Sequence, residues 1–191
     1  DLGNHAVLCS PALADLDLDG TREIIFFTTN RDLWVLTADG SVFPGFPIHH
    51  DTPYDDSAGP SPAVGNFDDD PELEIVWPVN AGSFRLDLVV VDTDVDGGTS
   101  GDVLPGWPVS LPSNSEGSPV VGDLDGDGVA DIVMPIGSDE TETPDLVTAF
   151  TASGEPVAGF PISLGGHPRS TPVIADVDLD GDADLVYGSW D

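Results

Sequence analysis

Polar segments of this chain are interrupted by short apolar runs, none with the 3.6-residue apolar spacing of an amphipathic helix. Ile24-Ile25-Phe26-Phe27, Ile75-Val76-Trp77, Ile132-Val133-Met134 and Leu185-Val186-Tyr187 are rich in β-branched and aromatic residues, which predicts buried strands. Each follows, across a polar loop, a lead-in of small apolar residues: Ser10-Pro11-Ala12-Leu13-Ala14, Ser61-Pro62-Ala63-Val64-Gly65, Ser118-Pro119-Val120-Val121-Gly122 and Thr171-Pro172-Val173-Ile174-Ala175. The lead-in is strand A and the run after the loop is strand B. Strand C follows in Leu33-Trp34-Val35-Leu36, Leu88-Val89-Val90-Val91 and Leu146-Val147-Thr148-Ala149-Phe150. A turn then leads to Pro44-Gly45-Phe46-Pro47-Ile48, Pro105-Gly106-Trp107-Pro108-Val109 and Gly159-Phe160-Pro161-Ile162. Pro costs no ladder hydrogen bond at a sheet edge, so these phrases are expected to form an outermost strand D.

The loops between A and B begin at Asp15, Asn66, Asp123 and Asp176, at intervals of 51, 57 and 53 residues. Four strands per unit at a period near 50 is the pattern of a β-propeller blade; a β-helix repeats faster and helical solenoids need helices. With 22 Gly and 18 Pro in 191 residues, long helices are disfavoured and turns favoured. The expected fold is all-β, a β-propeller segment of four-stranded antiparallel blades. Blade 1 spans residues 10–59, blade 2 60–116, blade 3 117–169, and 170–191 is the first half of blade 4. Leu2-Gly3-Asn4-His5 echoes Leu164-Gly165-Gly166-His167, so residues 1–9 read as the tail of a preceding blade. About three and a half blades imply an excerpt of a longer array, a seven- or eight-bladed ring; the alternative is two copies pairing into a seven-bladed ring.

The polar loops themselves repeat. Asp15-Leu16-Asp17-Leu18-Asp19-Gly20-Thr21-Arg22-Glu23 recurs as Asn66 to Glu74, Asp123 to Asp131 and Asp176 to Asp184. Oxygen-bearing side chains fall at positions 1, 3, 5 and 9: Asp15, Asp17, Asp19, Glu23; Asn66, Asp68, Asp70, Glu74; Asp123, Asp125, Asp127, Asp131; Asp176, Asp178, Asp180, Asp184. Carboxylates this close repel unless a hard cation sits between them, and calcium accepts 6–8 oxygens with tolerant geometry. Gly at position 6, or once Pro71, allows a sharp turn that brings in the position-7 carbonyls of Thr21, Glu72, Val129 and Asp182. An EF-hand would need Glu at position 12, where Phe26, Trp77, Met134 and Tyr187 stand. The pattern therefore predicts about four Ca2+ ions, one per A–B loop.

Charge narrows the function. There are 36 acidic residues against four basic ones, a formal net charge of −32. Four calcium ions would leave about −24, which excludes nucleic acid and anionic membrane surfaces as partners. No apolar stretch is long enough to span a bilayer, so no membrane insertion is expected. Cys9 is alone and forms no intrachain disulfide. Free calcium is plentiful outside cells, which places the module in an extracellular, secreted or cell-surface setting.

The phrase Ser/Thr-Pro-apolar-apolar-Ala/Gly-Asp-x-Asp-x-Asp-Gly-x-x-Asp/Glu-apolar resembles the FG-GAP or VCBS repeat of integrin α-subunit propellers and many secreted bacterial proteins. The resemblance covers nearly the whole chain, and the second copy departs from it at Asn66 and Pro71. It implies calcium held by loop positions 1, 3, 5, 7 and 9, and an adhesion, interaction or structural role toward a protein or carbohydrate ligand. Some similar propellers are polysaccharide lyases, which makes a secreted polysaccharide-active enzyme the alternative, although only Arg22, Arg31, Arg85 and Arg169 could steady a developing charge.

Other candidates read as ordinary structure. Asp92-Thr93-Asp94-Val95-Asp96-Gly97 repeats positions 1, 3, 5 and 6 in the C–D turn of blade 2, but its ninth residue is Ser100, so a solvated acidic hairpin is favoured over a fifth calcium site. His49-His50-Asp51, near Asp55-Asp56, reads as an exposed linker rather than a transition-metal or acid/base site. Trp34, Trp77, Trp107 and Trp190 are expected to pack between blades rather than stack on sugars, and no catalytic residues are identified. Up-and-down strands put A–B and C–D turns on one face, so a partner would dock opposite the calcium, on loops such as His49 to Gly59 and Ser138 to Asp145.

Overall fold

The computed structural model of the chain describes residues 6–7, 9–51, 60–82, 85–137 and 145–189. Leu2-Gly3-Asn4-His5, Asp55-Asp56, residues 138–144 and Trp190 lie outside the described residues. The described chain is all-β. Blade 1 comprises β1 (Ala12–Ala14), β2 (Glu23–Phe27), β3 (Asp32–Leu36) and β4 (Ile48–His49). Blade 2 comprises β5 (Ala63–Gly65), β6 (Glu74–Gly82), β7 (Arg85–Val91) and β8 (Val109–Leu111). Blade 3 comprises β9 (Val120–Gly122), β10 (Asp131–Ile136), β11 (Leu146–Phe150) and β12 (Ile162–Ser163); β13 (Val173–Ala175) and β14 (Asp184–Val186) begin a fourth. Each sheet is antiparallel with strands in chain order, the up-and-down topology of a propeller blade.

The core lies between blades. Along a strand, side chains alternate faces, so a strand sandwiched between two other sheets is buried on both faces, as in β10, which is apolar from Ile132 to Ile136. Ile25, Phe27, Leu33 and Val35 of blade 1 meet Ile75, Trp77, Val79, Val89 and Val91 of blade 2. The alternate residues of blade 2, Val76, Leu86, Leu88 and Val90, meet Ile132, Met134 and Ile136 of blade 3. Trp77 and Trp107 are buried in these layers; Trp34 is only half-buried, on the side of blade 1 away from blade 2.

Two features depart from the sequence reading. The Pro-Gly-aromatic-Pro phrases are not strand D. Phe43-Pro44-Gly45-Phe46 and its counterparts are turns closed by Phe46 N–H to Phe43 O, Trp107 N–H to Leu104 O and Phe160 N–H to Val157 O (3.1–3.2 Å), with Gly45, Gly106 and Gly159 at φ +84, +93 and +92°. Pro44 and Pro105 at the second turn position, where blade 3 has Ala158, and Gly at the third are type II chemistry. Strand D is thereby split: Val42, Val103 and Pro156 bridge strand C before the turn, and regular pairing resumes only at Ile48, Val109 and Ile162. Conversely, Pro78 and Pro135 lie inside the central strands β6 and β10. Both fall beyond Val76 and Val133, the last residues that strand A pairs with, where that side of strand B has no ladder to lose.

The Ser/Thr of each lead-in joins blades. Ser10 N–H donates to Ser61 Oγ (3.0 Å), Ser61 N–H to Ser118 Oγ (2.9 Å) and Ser118 N–H to Thr171 Oγ1 (3.0 Å). The following Pro explains why strand A starts two residues late.

Candidate metal centres

Ala14 pairs with Glu23, Gly65 with Glu74, Gly122 with Asp131 and Ala175 with Asp184, so every A–B loop hangs from the same register of its blade. Within each loop the carboxylates organise the backbone. The position-3 carboxylate accepts the N–H of position 5, and the position-5 carboxylate that of position 7, as in Asp19 N–H to Asp17 (3.2 Å) and Thr21 N–H to Asp19 (2.7 Å). The same pairs recur in loop 2 through Asp68, Asp70 and Glu72, in loop 3 through Asp125, Asp127 and Val129, and in loop 4 through Asp178, Asp180 and Asp182. The position-1 carboxylate takes the N–H of the position-6 glycine, Asp15 from Gly20, Asp123 from Gly128 and Asp176 from Gly181 (2.9–3.1 Å). These glycines have φ of +91, +91 and +98°, a conformation that a Cβ disfavours.

Loop 2 solves the same geometry differently. Pro71 has no N–H to give, and Asn66 has no carboxylate to receive it. The Asn66 amide instead donates to the carbonyls of Asp70 (2.6 Å) and Glu72 (3.2 Å).

Position 9 does more than supply an oxygen. One oxygen of Glu23, Glu74, Asp131 and Asp184 accepts the N–H of position 2, from Leu16, Phe67, Leu124 and Val177 (2.5–2.9 Å). Leu16 and Phe67 are buried in the layers between blades, and Leu124 packs against the third. The loop is thus stapled to the core through its second residue, a link the alternation Asp-Leu-Asp-Leu-Asp carried but local spacing did not reveal.

Four acidic groups have ligand oxygens mutually within 4.8 Å: Asp15, Asp17 and Asp19; Asp68, Asp70 and Glu74; Asp123, Asp125 and Asp127; Asp176, Asp178 and Asp184. The structure therefore brings together three expected ligands per loop. Position 9 falls outside the tight group in loops 1 and 3, as does Asp180 in loop 4. Glu74 is 0% exposed and its Oε1 has no hydrogen-bond partner; Asp15 Oδ1 is likewise buried without one. Burial, reinforced by Asp68, Asp70 and Asp92 and opposed by the Phe67 N–H, pushes the Glu74 carboxyl up to about 8. Burial and Asp68 push Asp70 up to about 6, and burial also raises Glu23 and Asp131. Orphaned oxygens and anions this reluctant to stay charged fit a bound hard cation.

The residues fit calcium in kind: carboxylate oxygens, with neither His nor Cys in any group. Clefts of about 320 and 390 Å3 beside these loops are acid-lined, by Asp17, Asp19, Glu72 and Asp96 and by Asp123, Asp125, Asp176 and Asp182.

The opposite face has its own polar cluster where blades 1 and 2 meet. His49, in β4, lies 2.7 Å from Asp32, whose other oxygen accepts the Asn30 amide (2.6 Å). His50 stands edge-on to Trp77 (centroids 5.8 Å apart) with Nε2 4.0 Å from Asp87. Ser110 Oγ accepts from Arg85 (2.7 Å) and donates to Asp87 (2.6 Å). The linker reading is corrected here: His49 is a strand residue and His50 is half-buried, its imidazolium disfavoured chiefly by that burial. Among the described residues no group of potential ligands gathers at these histidines. No protein-family model and no curated protein sequence matches the chain.

Proposed function

We propose that the chain is a calcium-stabilised segment of an extracellular or cell-surface β-propeller of the FG-GAP or VCBS kind. It acts as an adhesion, interaction or structural module that presents loops opposite the metal sites to a protein or carbohydrate ligand. The observation that carries the calcium reading is the repeated carboxylate cradle with buried, unpartnered oxygens at Glu74 and Asp15. The acid-lined clefts on the metal face disfavour anionic partners there, which leaves the other face for docking. Thermal unfolding of metal-stripped protein with and without calcium tests the reading. Each ion at about 100 times its dissociation constant adds roughly 2.7 kcal/mol. Asp125→Ala should lower the melting temperature in calcium and leave it unchanged in chelator; equal losses in both would remove the metal from the explanation.

The alternative, part of a secreted lyase-like polysaccharide-active enzyme, draws on the blade 1–2 cluster. There Arg85, His49 and His50 stand beside Asp32 and Asp87, a source of positive charge and proton transfer. Incubation with acidic polysaccharides, followed by ultraviolet absorbance of unsaturated products, separates the two; His49→Ala should abolish any product formed.

A further inference from the structure

Blade 2 differs from its neighbours twice on the metal face. Its loop has lost an acid, because Asn66 stands where the others have Asp15, Asp123 and Asp176. Its C–D hairpin is also longer: Asp92 N–H closes onto Asp102 O, whereas Thr37 closes onto Ser41 and Thr151 onto Glu155. Strand pairing makes Thr37, Asp92 and Thr151 equivalent, since each follows the strand C residue paired with Ile24, Ile75 or Ile132. The acid missing from the loop thus has a counterpart, an acid replacing Thr, in the hairpin of the same blade.

The long hairpin is seated on the loop. Thr93, 0% exposed, donates from Oγ1 to Leu73 O at position 8 of loop 2 (2.7 Å). Asp92 is 6% exposed, so its carboxylate is covered rather than solvated, contrary to the sequence reading of this hairpin. In the antiparallel pair Asp92 follows Val91, the partner of Ile75, which places it across from Glu74. Asp94, by contrast, folds back onto its own turn, accepting from Gly97 N–H (2.6 Å), and no separate ligand group forms in the hairpin among the described residues. The neighbouring Glu74 supplies the independent sign of a cation, a buried oxygen without a partner.

We propose that Asp92 supplies the fourth negative charge of the second calcium site, replacing from the C–D hairpin the carboxylate that Asn66 lacks. With Asp68, Asp70 and Glu74 it restores the four acids that positions 1, 3, 5 and 9 provide in every other loop. Affinity in such sites follows the count of charged ligands, and one charge removed beside a divalent ion in a covered site weakens binding by about tenfold or more. The proposal rests on the calcium reading, and the test separates the two.

Calcium binding to metal-stripped protein is measured by equilibrium dialysis with radioactive calcium. Asp92→Asn keeps the acceptor for Asp94 N–H and should weaken one ion about tenfold while the others keep their affinity. Asp68→Ala should remove that same ion, and adding Asp92→Asn to Asp68→Ala should change nothing further. Asn66→Asp in the Asp92→Asn background should restore tight binding, which a purely structural role for Asp92 would not permit. An unchanged isotherm for Asp92→Asn alongside a lost ion in Asp68→Ala overturns the proposal and leaves the calcium reading standing. Failure of Asn66→Asp to rescue also overturns it, and loss of no ion in Asp68→Ala overturns both.

Discussion

Replacing Glu74 by Gln should stabilise the metal-free protein and destabilise the calcium-loaded one. Glu74 is fully covered, one oxygen holds the Phe67 amide and the other has no partner, while Asp68 and Asp70 lie within 4.8 Å. Without a cation its carboxyl is pushed from 4.5 up to about 8. At pH 7.5 the unfolded chain has released this proton and the folded one has largely kept it. At about 1.36 kcal/mol per pH unit, the three units between 4.5 and 7.5 set a ceiling of about 4 kcal/mol, which solvent screening in this loop reduces to about 2 kcal/mol. The sign is that of a raised carboxyl: the contribution to metal-free stability is full below pH 4.5 and is lost as pH rises through about 8. Gln keeps an acceptor for Phe67 N–H and carries no charge, so in chelator at pH 7.5 the variant should melt about 4–8 °C above the parent. In calcium the order reverses. A tenfold weaker site costs about 1.4 kcal/mol and an ion lost at 100 times its dissociation constant about 2.7, so the variant should melt about 3–10 °C below the parent. Differential scanning calorimetry on metal-stripped protein, from pH 5 to 8.5 with and without calcium, reads both arms. A shift of the same sign in both conditions would refute the argument, because it would make Glu74 a packing residue rather than a cation-compensated charge.

The remaining predictions concern how blades meet. Gly106 and Gly159 share a motif and a positive φ, but a Cβ on Gly106 would lie 2.1 Å from the Ser153 carbonyl of blade 3, whereas one on Gly159 meets nothing within 4 Å. Gly159→Ala should therefore cost only the backbone strain, about 1 kcal/mol, and Gly106→Ala about 3 kcal/mol or more; equal losses in chemical denaturation would show that the turn of blade 2 does not bear on blade 3. Ser118→Ala removes the acceptor of Ser61 N–H and should lower stability by about 1 kcal/mol equally in calcium and in chelator. A calcium-dependent loss would mean that the lead-in contacts and the metal loops are coupled.

Much of this protein was legible along the chain because its repeat is local. Strands B and C appear where their apolar runs predicted them, with strand B buried on both faces in blades 2 and 3 but not in β14, which ends at a half-exposed Val186, and the A–B loops carry their own hydrogen-bond pattern between residues two apart. The phrase at strand D was misread because Pro signals both a sheet edge and a type II turn, and only the pairing of Val42 and Ile48 on either side of Phe43-Pro44-Gly45-Phe46 decides between them. Asp92 was misread because spacing within its hairpin says nothing of the loop that the hairpin covers.

The sequence by itself determined the repeat, the all-β class, the strand order within a blade and the acids that line each loop. Tertiary structure alone decided that the core lies between sheets, that Leu16 and Phe67 anchor their loops in it, that Ser61 receives a hydrogen bond from Ser10 of the preceding blade, and that Asp92 stands across the strand pair from Glu74. The division follows the range of the forces. Backbone hydrogen bonding and side-chain alternation act within a few residues and leave a periodic trace, whereas contacts between blades join residues about 50 apart whose meeting depends on how whole sheets stack.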